Sequence, residues 1–303
     1  MTPPNPFVSR RRLLASAAGA MGVGALLAAC GGSDGTGTET QAGGTDDAGS
    51  GEAASNFTVV QRFQSDSIGT GPVRLPFSLA DDQARLLTSG PARLKGEVRN
   101  EQGNLVATLD LPRRGDTLGA PYWTVELDIP KRGLYDFTLE GQTGDPTPFI
   151  VEDPAKITVP VAGTPLPPFD TPTTADARGV DPVCTRLDGA CPFHEVTLSD
   201  ALAAGKPVVY LVGTPAHCST GTCAPGLEFL IEASKAYTGS AVFVHTEVFA
   251  DQAGTKVAPA VTALGLTYEP VIWIADATGT VQRRIDVVWD LEELSAVLAD
   301  TLS

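Results

Sequence analysis

The chain has 303 residues, a formal net charge of -15 at pH 7, and 42 % hydrophobic residues. Beyond its N-terminal segment it has no basic cluster, which argues against an extended phosphate-binding surface, so we expect no nucleic-acid partner. The length that remains is sufficient for two modest hydrophobic cores.

Residues 1–30 have the pattern of a bacterial export signal. Three arginines at 10–12 precede a weakly apolar stretch at 13–29, and residues 27–31 read Leu-Ala-Ala-Cys-Gly. The arginines resemble a twin-arginine signal, and the following five-residue segment resembles the lipobox of bacterial lipoproteins. That second resemblance implies that Cys30 is lipidated and becomes the mature N-terminus. The alternative, a membrane-spanning helix over the apolar stretch, falls short of the ~20 apolar residues that a span needs.

We therefore expect an exported protein, lipid-anchored to the outer face of the cytoplasmic membrane. Residues 31–55 contain only small and polar residues, cannot bury a core, and predict a flexible tether. Disulfides persist outside the cytoplasm. Once Cys30 carries the lipid, four of the five cysteines remain, as the close pairs Cys184/Cys191 and Cys218/Cys223.

Residues 56–152 predict an all-β domain, because short alternating segments are separated by turns. The predicted strands are 57–63, 73–80, 94–100, 105–111, 122–129, 133–140 and 147–151. Their number and spacing favour an immunoglobulin-like β-sandwich, although without a Cys in this stretch it has no internal disulfide. Residues 153–182 are rich in Pro, Thr and Ala and predict an extended linker. It either lies along the surface of the next domain or spaces the two domains.

Residues 183–303 predict an α/β domain with the order helix, strand, cysteine loop, helix, strand, helix, strand, strand, helix. The cysteine loop places Cys218 and Cys223 between a buried, β-branched strand at 207–213 and a helix that follows Cys223. Thiols at the N-terminus of a helix lie at the positive end of its dipole, which favours the thiolate. The pattern therefore indicates redox chemistry or binding of a soft metal.

This order of elements, with a dithiol after the first strand, resembles the thioredoxin fold. Two further features carry the resemblance: Pro225 in the helix after the cysteines, and Glu269-Pro270 before a strand, where thioredoxins place a cis-proline. The resemblance implies that Cys218 is the attacking thiolate, that Cys223 is the resolving thiol, and that Pro270 faces the pair and holds the substrate backbone. More narrowly, the chain looks like the thioredoxin-domain lipoproteins that bacteria export.

The resemblance implies a thiol-disulfide oxidoreductase that needs no cofactor and acts on disulfide-containing or dithiol exported proteins. Three departures keep other interpretations open. Four residues rather than two separate the cysteines, His217 stands where thioredoxins often have Trp, and Val212 stands where many have a buried acid. The pair Cys218/Cys223 could instead be an inert disulfide or a metal site, and a competing alignment makes Cys223 the nucleophile.

The remaining candidates are the histidines and the first cysteine pair. His217 could stabilise a neighbouring thiolate when protonated, or make an ordinary loop hydrogen bond. We predict that His245 is a core or strand-end residue and that His194 lies on the surface. Cys184 and Cys191 predict a structural disulfide, with an electron relay to the other pair as the alternative.

Two other function classes remain. The chain could be a non-catalytic protein-binding lipoprotein in which both cysteine pairs are structural disulfides. It could also resemble the Sco-type copper proteins, in which a downstream histidine, here His245, joins the Cys218/Cys223 loop. Our leading interpretation assigns no metal ligand and predicts a monomer.

Overall fold

A computed structural model describes residues 56–302 of the chain. The predicted export signal, the lipidated Cys30 and the tether at 31–55 lie outside the described residues. Within 56–302, no helix combines the length and the apolar character that crossing a bilayer requires.

The N-terminal half of the described chain consists of two β-sheets around one hydrophobic core. Its strands are β1 (Thr58–Gln61), β2 (Ile68–Gly69), β3 (Gly71–Ala80), β4 (Arg93–Asn100), β5 (Leu105–Pro112), β6 (Trp123–Ile129), β7 (Gly133–Leu139) and β8 (Thr147–Glu152). One sheet has the order β1-β3-β6 and the other β2-β8-β7-β4-β5. Phe77 and Val125 of the first sheet share a core with Val98, Phe137 and Phe149 of the second.

Alternation of apolar and polar residues places these strands, as strand β7 illustrates. Tyr135, Phe137 and Leu139 point into the core, whereas Leu134 between them and the turn is exposed. All seven predicted strands are present, and only the two-residue β2 was not predicted. The all-β architecture with two packed sheets is therefore confirmed, while the immunoglobulin-like topology stays a prediction.

The C-terminal half is an α/β unit with a four-stranded sheet. Its elements are α1 (Leu198–Ala203), β9 (Val208–Val212), α2 (Cys223–Ser234), β10 (Val242–Thr246), α3 (Pro259–Leu264), β11 (Val271–Ala275), β12 (Val281–Asp286) and α4 (Leu291–Leu302). The strand order is β10-β9-β11-β12, with β9 and β10 parallel and β11 antiparallel to both of its neighbours. The central β9 is buried throughout because hydrophobic clusters cover both faces of the sheet.

The linker at 153–182 lies along the C-terminal half, the first of the two predicted arrangements. The Leu166 N–H donates to the Gly279 carbonyl at 2.8 Å, and the Val281 N–H donates to the Thr164 carbonyl at 2.9 Å. Leu166 is buried in the core of this half. The linker therefore extends the edge of the sheet beside β12.

A buried ion pair joins the two halves, and the sequence analysis did not predict it. Arg74 of β3 donates to both carboxylate oxygens of Glu293 in α4, at 2.7 and 2.9 Å, and the Tyr122 hydroxyl donates to the same carboxylate at 2.6 Å. Burial alone would raise the pKa of Glu293, but the Arg74 charge holds it below its usual value. Removing one partner of such a pair costs roughly 3–5 kcal/mol, because the other charge stays buried.

Candidate dithiol site

The four residues between Cys218 and Cys223 fold back as a tight turn. The Gly221 N–H donates to the Cys218 carbonyl at 3.3 Å, and Gly221 has a φ of 69°. Glycine adopts such a left-handed conformation without the steric cost that a side chain would bring. The turn brings the Cys218 side chain over the first turn of helix α2, which begins at Cys223.

Hydrogen bonds to its sulfur stabilise the Cys218 thiolate. The backbone N–H of Cys223 donates to Cys218 Sγ at 3.3 Å, and Thr220 Oγ1 lies 3.1 Å from the same atom. The pKa of Cys218 falls to about 4, mainly because the Cys223 thiol donates to it, with smaller contributions from Thr220 and the backbone N–H groups of the turn. Partial burial opposes the shift without reversing it, so Cys218 is a partly exposed thiolate at neutral pH.

Cys223 differs from Cys218 in every respect that sets thiol reactivity. It is buried, and its Sγ lies 3.8 Å from Glu269 Oε2. Its hydrogen bond to Cys218 raises the pKa of Cys223 first, and burial and the negative charge of Cys218 raise it further. Both thiols are free, so the site is a reduced dithiol with one nucleophilic and one protonated sulfur.

Glu269 is the functional residue that the sequence analysis missed. Burial raises its pKa to about 7, and the negative charge on Cys218 adds to that shift. Position 212, where an acid would follow the usual thioredoxin pattern, holds Val212, whereas the carboxyl group beside the thiols comes from the loop before β11. The sequence feature that could have identified Glu269 is its position directly before Pro270, the predicted cis-proline.

Pro270 lies where the resemblance predicts it. The Glu269–Pro270 peptide bond is cis. A Cβ atom added to Gly213 would lie 3.2 Å from Pro270 Cβ and 3.8 Å from Cys223 Sγ. Gly213, Pro270 and Cys223 therefore pack together, and Gly213 leaves the space that the other two residues use.

His217 is turned toward a neighbouring loop. Its Nε2 lies 3.1 Å from the Gln252 carbonyl, to which it donates, and its ring packs edge-on against Phe249 with centroids 5.6 Å apart. No described contact joins it to the Cys218 sulfur. The geometry therefore favours the ordinary loop hydrogen bond over the stabilisation of a thiolate.

The second cysteine pair belongs to a buried cluster with two histidines. Cys184, Cys191, His194 and His245 are all buried, and their sulfur and nitrogen atoms lie within 4.8 Å of one another. The surface position predicted for His194 is wrong, since 1 % of this residue is exposed. The cause is backbone pairing beside it: the His245 N–H donates to the Phe193 carbonyl at 3.0 Å. The core position predicted for His245 is confirmed.

His245 Nδ1 lies at the centre of this cluster. It is 3.8 Å from Cys184 Sγ, 3.5 Å from Cys191 Sγ and 3.1 Å from His194 Nε2. His194 Nδ1 has no hydrogen-bond partner among the described residues. Because His245 is committed to Cys184 and Cys191, the Sco-type ligand set with the other cysteine pair is not formed.

The thiols of Cys184 and Cys191 are free in this structure, so their disulfide stays a prediction. The Cys191 thiol donates to Cys184, which lowers the pKa of Cys184, and the two histidines lower it further. The same hydrogen bond and burial raise the pKa of Cys191. Burial would lower the pKa of His245, but its contact with Cys184 raises it overall.

No protein-family model and no curated protein matches the chain. Among solved structures, it is similar to a thioredoxin-family thiol:disulfide interchange protein from Chlorobium tepidum, with 15 % identity and a TM-score of 0.34, over 46 % of this chain and 97 % of that one. It is also similar to the Lin-41 filamin domain, with 19 % identity and a TM-score of 0.25, over 34 % and 98 % of the two chains. A Salmonella alpha-2-macroglobulin matches with 19 % identity and a TM-score of 0.24, over 41 % of this chain and 8 % of that one. At these scores the likenesses carry no argument about what the chain does.

Proposed function

We propose that the chain is a thiol-disulfide oxidoreductase in which Cys218 is the nucleophile and Cys223 the resolving thiol. The observation that carries this proposal is the asymmetry of the pair. Cys218 is partly exposed with a pKa lowered to about 4, whereas Cys223 is buried with a raised pKa and a carboxyl group beside it. A low-pKa, accessible thiolate beside a protonated partner is the arrangement that thiol-disulfide exchange requires.

In the first step the Cys218 thiolate attacks one sulfur of a substrate disulfide. The Cys218–substrate S–S bond forms as the substrate's own S–S bond breaks, and the departing sulfur leaves as a thiolate. In the second step the Cys223 thiol loses its proton to the Glu269 carboxylate. Its sulfur then attacks Cys218, which releases the second substrate thiolate and closes the Cys218–Cys223 disulfide. The dithiol loses two electrons, and the substrate disulfide gains them.

The negative charge on Cys218 determines when the second step can begin. That charge raises the pKa values of both Cys223 and Glu269. When Cys218 enters the mixed disulfide its charge disappears, so both pKa values fall. The carboxylate fraction of Glu269 then rises, and Cys223 gives up its proton more easily. Cys223 is therefore held protonated until Cys218 has reacted.

The low pKa of Cys218 also bears on the direction of electron flow. A stabilised thiolate stabilises the reduced pair and makes the disulfide a stronger oxidant. The most oxidising dithiol-disulfide proteins, with reduction potentials of about -120 mV, owe their potential to such a stabilised reduced form. We infer that the two steps above run more readily in reverse, with the oxidised protein donating its disulfide to dithiol substrates, than forward onto structural disulfides.

Mixed-disulfide trapping tests the proposed function. Cys223→Ser in the full chain should accumulate covalent adducts with exported proteins, because the adduct formed by Cys218 cannot be resolved. The matched control, Cys218→Ser with Cys223→Ser, should trap nothing. Absence of adducts, together with a Cys218 thiol that alkylates only near the ordinary pKa of about 8.5, would overturn the proposal. The non-catalytic binding lipoprotein would then be the better description.

We also propose that the chain is exported by the twin-arginine route and anchored through a lipid on Cys30, which would place the dithiol at the cell envelope. The support is the order of the two sequence motifs. Cys30→Ala should release the protein from membranes or block its processing, whereas Cys184→Ser should leave fractionation unchanged. Unaltered membrane association and size in Cys30→Ala would exclude the anchor.

A further inference from the structure

The cluster of Cys184, Cys191, His194 and His245 has no part in the proposed exchange reaction. Two thiols and two imidazoles converge there from a loop and from strand β10, and every one of them is buried. A disulfide would use only the two sulfurs. It would leave the two imidazoles with a hydrogen bond to each other and His194 Nδ1 buried with no partner among the described residues, which costs free energy.

The distances match the edges of a tetrahedron around a metal ion. Bond lengths of about 2.3 Å to sulfur and about 2.0–2.1 Å to nitrogen give edges of roughly 3.6 Å between sulfur and nitrogen and roughly 3.3 Å between two nitrogens. The observed sulfur-to-nitrogen distances at His245 are 3.8 and 3.5 Å, and its nitrogen-to-nitrogen distance to His194 is 3.1 Å. Three of the six edges thus already match coordination geometry, and all four ligand atoms lie within 4.8 Å of one another.

The proton position on His245 also fits a ligand. Its Nε2 lies 3.0 Å from the Gly213 carbonyl, which can only accept, so Nε2 carries a proton and Nδ1 is the nitrogen available to a metal ion. Histidines that bind metals almost always donate their other N–H to a carbonyl or carboxylate in this way. The hydrogen bond holds the ring in a coordinating orientation.

The loop that carries Cys184 is anchored independently of the cluster. The buried Glu247, two residues after His245 on the chain, accepts hydrogen bonds from the Thr185 backbone N–H at 2.6 Å and from its hydroxyl at 3.0 Å. This contact positions the residue next to Cys184 against the end of strand β10.

We propose that Cys184, Cys191, His194 and His245 bind one zinc ion in a closed, four-ligand site. Two sulfurs and two nitrogens in a tetrahedron are typical of zinc. With four protein ligands and full burial the site leaves no position for a substrate, so the ion is structural. Two thiolates neutralise the charge of the ion, which lets the cluster stay buried without a net charge. This proposal does not depend on the oxidoreductase function.

Metal analysis of the full chain, purified with a phosphine reductant, tests the proposal. We expect about one zinc per chain in the unaltered protein, and a tetrahedral cobalt spectrum with thiolate charge transfer when Co²⁺ replaces zinc. His194→Ala and Cys191→Ser should weaken zinc binding by more than the ~10–100-fold that loss of an outer hydrogen-bond partner costs. The matched controls are His217→Ala, at the one histidine of the chain outside the cluster, and Cys218→Ser. Both variants should keep the metal.

A second measurement needs no variant and so does not depend on how the substituted chains fold. In the unaltered protein, zinc should protect Cys184 and Cys191 from alkylation and leave Cys218 reactive. Three results would overturn the proposal: a reduced chain without zinc, zinc that persists in His194→Ala, or a Cys184–Cys191 disulfide in protein isolated from cells. Preference for Cu⁺ with exclusion of Zn²⁺ would overturn the choice of metal.

Discussion

The two cysteine pairs have similar spacing in the sequence and different surroundings in the fold. Cys218 and Cys223 lie at the start of helix α2, where backbone N–H groups and a hydroxyl stabilise one partly exposed sulfur. Cys184 and Cys191 are buried beside two imidazoles, at the two ends of a loop whose other residues are half-buried or exposed. Exposure and neighbouring groups, rather than spacing, therefore distinguish the proposed redox pair from the proposed ligand pair.

The largest expected effect on disulfide exchange comes from replacing one cysteine of each pair in turn. Cys218→Ser should abolish disulfide exchange with a model disulfide substrate, because no other described thiol combines exposure with a low pKa. Cys184→Ser should retain exchange. Loss of activity in a folded Cys184→Ser protein would mean that the pairs act together, as an electron relay requires.

The second prediction concerns the proton acceptor that only one pair possesses. Glu269→Gln should slow closure of the Cys218–Cys223 disulfide on the order of a hundredfold, the usual contribution of a positioned base. Glu269 has a pKa raised to about 7, and its carboxylate form is the base. Because this pKa falls once the Cys218 charge is lost in the mixed disulfide, the rate of closure in the unaltered protein should rise with pH below about 7 and then level off, measured by rapid mixing.

The control for this step is Glu247→Gln, which alters a buried carboxyl that does not contact Cys223. It should keep the inflection in the pH profile but move it to slightly lower pH, because the Glu247 charge adds to the raised pKa of Glu269. If Glu269→Gln shows the same profile as the unaltered chain, Glu269 is not the acceptor.

A third prediction separates the pairs by their response to metal. Zinc at a concentration about a hundredfold above its Kd should stabilise the reduced chain by roughly 2.7 kcal/mol, because it binds the folded form. The same addition should leave His194→Ala unchanged and should not alter the Cys218 pKa. Thermal unfolding with and without a chelator measures the first effect, and the pH dependence of alkylation measures the second.

A fourth prediction concerns the reduction potential of the Cys218/Cys223 pair. Thr220→Ala removes a hydrogen bond from the Cys218 thiolate and should raise its pKa from about 4. Each unit of that rise is worth about 1.4 kcal/mol, which makes the reduction potential about 30 mV more negative. Equilibration with glutathione measures the potential. Ser219→Ala, which changes a neighbouring exposed hydroxyl, should leave it unaltered, and equal potentials in both variants would exclude the role of Thr220.

The smallest expected effect is that of His217→Ala on the same pair. Because its ring donates to the Gln252 carbonyl and packs on Phe249, its removal should leave the Cys218 pKa unchanged and affect only the stability of the adjoining loop. A clear rise in the Cys218 pKa would restore the electrostatic role that the sequence left open.

Local pattern in the sequence was sufficient for the elements and for the dithiol turn. Period-two alternation placed β7, the apolar run placed β9, and the loop between β9 and α2 placed Cys218 and Cys223 at the start of a helix. The cis bond before Pro270 was also predicted. These features depend on the steric and hydrophobic preferences of residues close together in the chain. They can therefore be predicted from the sequence alone.

Only the tertiary structure decided which distant side chains meet. Glu269 reaches Cys223 from 46 residues away, and His194 and His245 are 51 residues apart. The strand order β10-β9-β11 brings the ends of β10 and β11 to either side of the turn after β9, which is how one carboxyl and one imidazole come to serve different cysteine pairs. Strand pairing depends on burial across the whole sheet and joins residues far apart in the chain, so it cannot be predicted from a short segment of the sequence.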